Sequence, residues 1–261
     1  MSERVRVGTV GFPVRDRRKV LAAVEVVELL DGRFEPPAKA VAKRLKKGWP
    51  ATVAATAQCS SYLVETPRRA VALPGERDAY GGFQATAENA ALWGRALDFA
   101  EGAGSLALVV VTPPAFTPGP ANVARMQAFF AAADRRDLRV VWEPHGPWDP
   151  DHAARLAAQM GLVLAVDPLR DAPPDGGFAY FRLGAFASMG SRLGVYDLER
   201  LAEAAQGFEE VVCVFDTPRA LDDVRNLKAV LAGAELEEGD DDDDDDQEDD
   251  GDDGAFDDEE P

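Results

Sequence analysis

Four charged side chains each follow directly on a short apolar run, and together they could bind a ligand and move a proton. Glu143 follows VVW and Asp167 follows VLAV, while Arg182 and Asp216 follow AYF and VVCVF. Paired carboxylates can divide the roles of acid and base, and a guanidinium can hold an anion with two parallel hydrogen bonds. We therefore predict Glu143 and Asp167 as catalytic acid and base, with Arg182 as the anion holder and Asp216 as a further ligand contact.

His145 and a glycine-rich segment add two weaker signals. His145 lies two residues after Glu143, where it could contact a ligand, hydrogen-bond at the surface or share a metal with Asp167. No HxH or HExxH spacing supports a metal, so we predict none, and no pattern identifies a cofactor. Small polar residues that could bind phosphate follow the seventh predicted strand, at Gly184, Ser188, Gly190, Ser191 and Gly194.

A parallel sheet would bring these side chains together, and the order of elements predicts one. Short apolar runs alternate with segments whose Ala, Leu and charged residues recur at helical spacing. Eight such strands favour a (β/α)8 TIM-type barrel, in which working residues lie where strands end and loops begin. The predicted strands are 5–8, 24–29, 52–57, 107–111, 139–142, 163–166, 179–182 and 211–215.

The barrel is expected to be irregular on two sides. Only a short stretch separates the first two strands, and residues 167–178, DPLRDAPPDGGF, contain too much proline and glycine for a helix. The predicted helices are 37–46, 86–102, 122–134, 149–159, 198–205 and 219–231. The sequence therefore predicts an α/β barrel with two incomplete units.

The net charge of −19 belongs to the end of the chain and not to its body. Residues 237–261 hold eighteen of the 47 acidic residues and no basic residue, which leaves 29 acids against 28 bases in residues 1–236. A nearly neutral body is not expected to bind nucleic acid directly. We predict one barrel domain over 1–236 and a disordered acidic tail over 237–261, because a run of like charge buries too little surface to fold.

The same features bound the partners and the location. A solubilising tail is the simplest interpretation, and contact with a basic partner or mimicry of nucleic acid are the alternatives. No leader and no apolar run long enough for a membrane span is present, so we expect a cytoplasmic protein with a small-molecule ligand and no membrane. Cys59 and Cys213 lack CxxC spacing and are expected to be buried.

Several short segments, taken in order, resemble the domain of unknown function 72 family, also called YecE-like, whose members have a (β/α)8-type barrel. The segments lie within residues 4–231 and are VGTVGFP, VEVVELLDGRFEPP, TVAATAQCSSY, FQATAENAALW, TPPAFTP, WEPHGPW, VDP, YFRLG and VFDTPRALDDVRN. The resemblance implies polar strand ends at Glu25, Glu143, Asp167 and Arg182. It implies no particular reaction, because a fold does not fix a function.

At other positions the chain departs from the residues that the resemblance implies. The departures are Ala55, Ser61, Tyr62, Val111, Gly184 and Asp216, in place of Lys, Thr, His, Gln, His and Asn. One hypothesis is an enzyme for a small anionic or carbohydrate-like metabolite, with Glu25 in support of the other charges. The other is a degenerate, non-catalytic barrel that binds or regulates through its tail. The strand-end charges could also be structural and pair only with each other, but we favour the enzyme because charges without a role are usually lost.

Overall fold

Eight parallel strands pair in chain order around a closed barrel, in which β8 also pairs with β1. The structure is a computed structural model that describes residues 5–71, 73–184 and 193–234. The strands are β1 Val5–Val10, β2 Val26–Leu29, β3 Ala54–Gln58, β4 Ser105–Thr112, β5 Arg139–Pro144, β6 Val163–Val166, β7 Phe178–Leu183 and β8 Glu210–Phe215. The predicted TIM-type barrel is therefore confirmed.

Helices cover the outside of the barrel. They are α1 Arg17–Ala23, α2 Lys39–Lys46, α3 Ala87–Ala103, α4 Pro120–Ala132, α5 Pro150–Gln159, α6 Val195–Gln206 and α7 Ala220–Leu231. Six of them match predicted segments. No helix lies between β6 and β7, as expected from the proline and glycine content of residues 167–178. Within the described residues, no helix is long and apolar enough to cross a membrane.

The expectation of an incomplete first unit was wrong, because α1 lies between β1 and β2. This helix has seven residues, and only Val20 among them is buried. Its start is fixed by the Asp16 carboxylate, which accepts from the backbone N–H of Arg18 at 3.0 Å and of Lys19 at 3.3 Å. A helix this short, with a single buried position, has no apolar periodicity to detect in the sequence.

Two apolar layers hold the barrel together. One cluster lies inside it and takes its buried residues from strands alone: Val10, Val26, Ala107, Val109, Val141, Ala165, Tyr180, Val212 and Val214. Two further clusters combine strand and helix residues and fill the space between the sheet and the helices. Because alternate residues of a strand face opposite sides, each strand contributes to both layers.

The same period places polar residues at the carboxyl ends of the strands on the inside of the barrel. Val26, Val141, Ala165, Tyr180 and Val214 belong to the interior cluster, and the residues two positions later are Glu28, Glu143, Asp167, Arg182 and Asp216. A shift of two residues keeps a side chain on the same face of the sheet. The alternation of β2, β5, β6, β7 and β8 thus directs five charged groups towards one end of the barrel.

Both cysteines belong to the apolar layers and not to a site. Cys59 is 3% and Cys213 1% exposed. Burial raises the pKa of Cys59 to about 12 and raises the pKa of Cys213 further still. Since the thiolate is the reactive form of cysteine, neither residue is suited to act as a nucleophile.

Candidate functional site

A cavity of about 920 Å³ lies at the carboxyl ends of β5 to β8. Its walls include Trp148, the start of α5 and the connection between β6 and β7. Five of the predicted site residues line it: Glu143, His145, Asp167, Arg182 and Asp216. Strand ends that are neighbours in the barrel have therefore brought these side chains to one place, as the strand pattern predicts.

Arg182 is the centre of an ionic network within this group. Its Nη1 lies 3.0 Å from both carboxylate oxygens of Glu143, its Nη2 lies 3.2 Å from Asp216 Oδ2, and its Nε lies 3.4 Å from Glu28 Oε2. The side chain of Arg182 is 9% exposed. Three of the five N–H donors of this guanidinium are directed at carboxylates, which leaves two. The network gives Arg182 a structural role, and its role as anion holder stays a prediction.

Glu28 is the member of this network that the sequence analysis missed. Its side chain is fully buried, and Tyr180 donates its hydroxyl proton to Glu28 Oε2 at 2.7 Å. The Tyr180 hydroxyl also lies 3.0 Å from Thr56 Oγ1, while Glu28 Oε1 has no hydrogen-bond partner among the described residues. Burial raises the pKa of Glu28, and the neighbouring Arg182 and Tyr180 offset this only in part. An acid inside an otherwise apolar strand is the signal that could have found it.

Glu25 does not belong to the site, which corrects the sequence-based expectation. It precedes β2 and so lies at the opposite end of the barrel from the cavity. There Glu25 Oε2 accepts from the backbone N–H of Val7 at 3.2 Å, and Oε1 lies 3.7 Å from Lys228 Nζ. Polar groups at the amino end of barrel strands serve stability and not the site.

Glu143 is held in its ionised form by contacts with His145 and Arg182. His145 Nε2 lies 3.1 Å from Glu143 Oε1, and Arg182 contacts the same carboxylate. Burial by itself raises the pKa of Glu143, but the hydrogen bonds and charges of His145 and Arg182 outweigh it, so that the pKa is lowered. Glu143 is thus suited to accept a proton only when its partners move or the ligand replaces them.

The loop that follows Glu143 is fixed by packing and backbone hydrogen bonds. Trp142 donates from Nε1 to Thr112 Oγ1 at 3.1 Å, and the backbone N–H of His145 donates to the Thr112 carbonyl at 2.9 Å. Gly146 adopts a φ of 95°, and a Cβ atom there would lie 2.9 Å from Pro114, so the tight passage requires glycine. Trp148 then packs edge-on against Trp142, with ring centroids 4.9 Å apart. The segment WEPHGPW thus forms a rigid wall of the cavity.

Asp167 has a different environment from Glu143, although both line the cavity. Its Oδ1 accepts from the backbone N–H of Leu169 at 3.0 Å, and its Oδ2 is buried without a hydrogen-bond partner among the described residues. No ion pair forms at Asp167 within that part of the chain, and burial raises its pKa. The two carboxyl groups predicted as acid and base therefore have their pKa values moved in opposite directions.

We expect His145 to titrate above its ordinary value of about 6.5. The hydrogen bond to Glu143 is the main cause of the raised pKa, so Glu143→Gln should lower the midpoint that NMR measures on the imidazole. The other histidine, His152, is removed by His152→Gln to assign the signal. A folded-state pKa above the unfolded value means that the contact stabilises the fold below pH 6.5 and that the contribution disappears as the pH rises through the folded-state pKa. An unchanged midpoint in Glu143→Gln would show that the two side chains do not interact in solution.

The remaining residues named in the sequence analysis are a departure from the family pattern on β3 and the small residues after β7. Ala55 packs among helix residues in the outer layer, so the side chain of β3 that reaches the barrel interior is Thr56 and not residue 55. Gly184 lines the cavity. Ser188, Gly190 and Ser191 lie outside the described residues. In the described ranges no group of three or more His, Cys, Asp or Glu side chains is arranged to hold a metal ion.

Solved structures of two proteins share this fold. A DUF72 family protein from Enterococcus faecalis V583 superposes with a TM-score of 0.66 and 18% sequence identity, over 88% of this chain and 98% of that chain. A DUF72 family protein from Thermotoga maritima MSB8 superposes with a TM-score of 0.57 and 15% identity, over 88% and 99% of the two chains. The chain matches no family model and no curated protein. The resemblance predicted from the order of short segments along the chain is therefore confirmed at the level of the fold.

Proposed function

We propose that the chain is an acid–base enzyme for a small, uncharged, hydroxyl-rich molecule of the carbohydrate class, bound in the cavity at the ends of β5 to β8. Asp167 is the proton donor and Glu143 the proton acceptor. One observation carries this proposal: the two carboxyl groups line one cavity from neighbouring strand ends, Glu143 ion-paired and Asp167 without an ion pair among the described residues. In such a pair one carboxyl group can be protonated while the other is ionised, which acid–base catalysis requires.

The charges around the cavity favour an uncharged ligand over an anionic one. Among the described residues, two arginines and one histidine line the cavity, against six acidic side chains: Glu143, Asp151, Asp167, Asp171, Asp175 and Asp216. One of those arginines, Arg182, is already engaged by carboxylates, and the other, Arg170, is exposed. Carboxylates accept hydrogen bonds from hydroxyl groups and repel phosphates and other carboxylates. The carbohydrate-like half of the sequence-based hypothesis is therefore retained and the anionic half is not.

Binding is tested by thermal unfolding of the full chain with neutral sugars and polyols, each beside its phosphate ester. A neutral ligand present at a hundred times its dissociation constant adds about 2.7 kcal/mol to the free energy of unfolding. We expect the resulting rise in Tm to be lost in Asp167→Asn and kept in the matched control Asp137→Asn, an exposed aspartate that does not line the cavity. A larger shift with the phosphate ester than with the neutral sugar would contradict the proposed ligand class.

Catalysis is tested separately, on whichever neutral ligand raises the Tm. Proton NMR in deuterated water follows the ligand for new products or for exchange of carbon-bound hydrogen. Conversion that is lost in both Asp167→Asn and Glu143→Gln supports the acid and base roles. A ligand that binds tightly and stays unchanged for days would instead favour the non-catalytic alternative, in which the barrel is a binding protein.

A further inference from the structure

Basic side chains are concentrated on one side of a body whose total charge is close to zero. Residues 15–19 and 39–47 contain nine bases and one acid, Asp16. Lys39 pairs with Glu101. The other eight bases form no ion pair within the described part of the chain, and all but Lys46 are exposed: Arg15, Arg17, Arg18, Lys19, Lys43, Arg44, Lys46 and Lys47. These eight residues are called the basic face below.

An aromatic pair joins the two halves of the basic face. The Arg17 guanidinium lies 4.6 Å from the centroid of the Phe12 ring, and Lys46 Nζ lies 4.6 Å from the centroid of Trp49. Phe12 and Trp49 contact each other edge to face, with centroids 5.9 Å apart. One cation of α1 and one of α2 therefore lie against the same aromatic pair, which connects the two halves of the basic face.

The helix that precedes the acidic residues in the chain packs beside this surface. Helix α7 packs against α1, and Lys228 Nζ donates to the Ala23 carbonyl at the end of α1, 3.1 Å away. Three residues after Lys228, α7 ends at Leu231, and the described residues end at 234, six residues after this contact with α1. Residues 237–261 then provide eighteen acids and no base.

We propose that the basic face is an intramolecular docking surface for the acidic residues 237–261 of the same chain. A flexible segment of about twelve residues spans roughly 20 Å, and repulsion between like charges extends it further, so the tail can reach both α1 and α2. A tethered partner has an effective concentration in the millimolar range, which lets many weak charge contacts act together. The docked tail neutralises the basic face and keeps other polyanions, nucleic acid among them, from binding there.

The proposal is tested on the full chain with a dye that tryptophan quenches on contact. The dye is attached at Gly251→Cys, which the burial of Cys59 and Cys213 makes selective. Docking brings the dye near Trp49, so we expect emission to rise about twofold when salt is increased from about 20 mM to 0.5 M, where charge contacts are screened. Trp49→Phe should abolish the quenching and so confirm which tryptophan is responsible.

Charge reversal provides the matched comparison. The variant Lys43→Glu, Arg44→Glu, Lys47→Glu should be bright at low salt. The control Arg68→Glu, Arg69→Glu, Arg155→Glu changes the net charge equally at exposed positions outside the basic face and should stay quenched. Equal emission from both variants would overturn the proposal. Quenching that grows with protein concentration would also overturn it, since the tail would then dock on a second copy. A dye that is bright at all salt concentrations, while duplex DNA binds the parent and not the first variant, would make the face a nucleic-acid surface.

Discussion

Arg182→Leu is expected to lower the free energy of unfolding by about 3 to 5 kcal/mol, because it leaves buried carboxylates without their cation. Glu28 is fully buried and Glu143 is largely so, and among the described residues Arg182 is the guanidinium that each of them contacts. Burying a charge without a partner is costly, whereas the intact network offsets that cost by hydrogen bonds and opposite charge. Urea denaturation of the two proteins measures the difference.

Two further variants test whether the loss of stability comes from the network of Arg182. Arg170→Leu removes an arginine from the wall of the same cavity, where it is exposed, and should change the stability by less than about 0.5 kcal/mol. Adding Glu28→Gln to Arg182→Leu should recover part of the loss, because the buried charge is removed together with its partner. If Arg182→Leu unfolds no more easily than Arg170→Leu, the network is not formed in solution.

The loss in Arg182→Leu should also depend on pH. Without Arg182, the folded-state pKa of Glu28 rises further above its unfolded value, since burial already raises it. The destabilisation is then present at pH values above that folded-state pKa and disappears as the pH falls through it, where the buried carboxyl takes up a proton. The difference in the free energy of unfolding between the variant and the parent should therefore narrow as the pH is lowered.

Trp142→Ala is the second large expected effect, again about 3 to 5 kcal/mol in the free energy of unfolding. Trp142 is fully buried in the outer layer, where its ring supports Trp148 and its Nε1 donates to the buried Thr112 hydroxyl. Removing it leaves a large cavity and deprives that hydroxyl of its indole donor. Chemical denaturation measures the loss.

Two further measurements separate local from general damage. Trp148→Ala removes a ring that is only partly buried, so its cost should be markedly smaller. Trp142 directly precedes Glu143, so in Trp142→Ala the NMR titration midpoint of His145 should move towards its ordinary value as the Glu143 contact loosens. A destabilised Trp142→Ala protein with an unchanged His145 midpoint would show that the wall of the cavity holds its shape without the indole.

The strands of this barrel could be predicted from sequence because each is a short apolar run. Two predictions failed, those of the first helix and of the site residue on β2, and their physical causes differ. Helix α1 buries a single side chain, so it leaves no periodic trace. Glu25 and Glu28 lie in one predicted strand, and the choice between them depends on where the strand begins and which residues face inward. Val26 belongs to the interior cluster, so Glu28, two residues later, also faces inward; the structure is needed to show this.

The interactions of Arg182 could not be predicted from its position in the chain. A strand-end arginine among acids is compatible with a free anion holder or with a structural ion pair. Its partners come from β2, β5 and the end of β8, so which of them it contacts depends on the closure of the barrel. The sequence thus predicts which residues share the cavity, while the three hydrogen bonds of Arg182 to carboxylates follow from the three-dimensional arrangement alone.

We expect the barrel to open most easily at one seam, which the β6 strand and the helix-free connection after it form. β6 pairs at two positions with each neighbour, whereas β4 and β5 pair at six. Short pairing and sparse cover lower the free energy of local unfolding relative to the rest of a domain. Asp167 directly follows this strand, so the proposed proton donor lies at the seam. A ligand held between Asp167 and Glu143 would join β6 to β5 and close that seam.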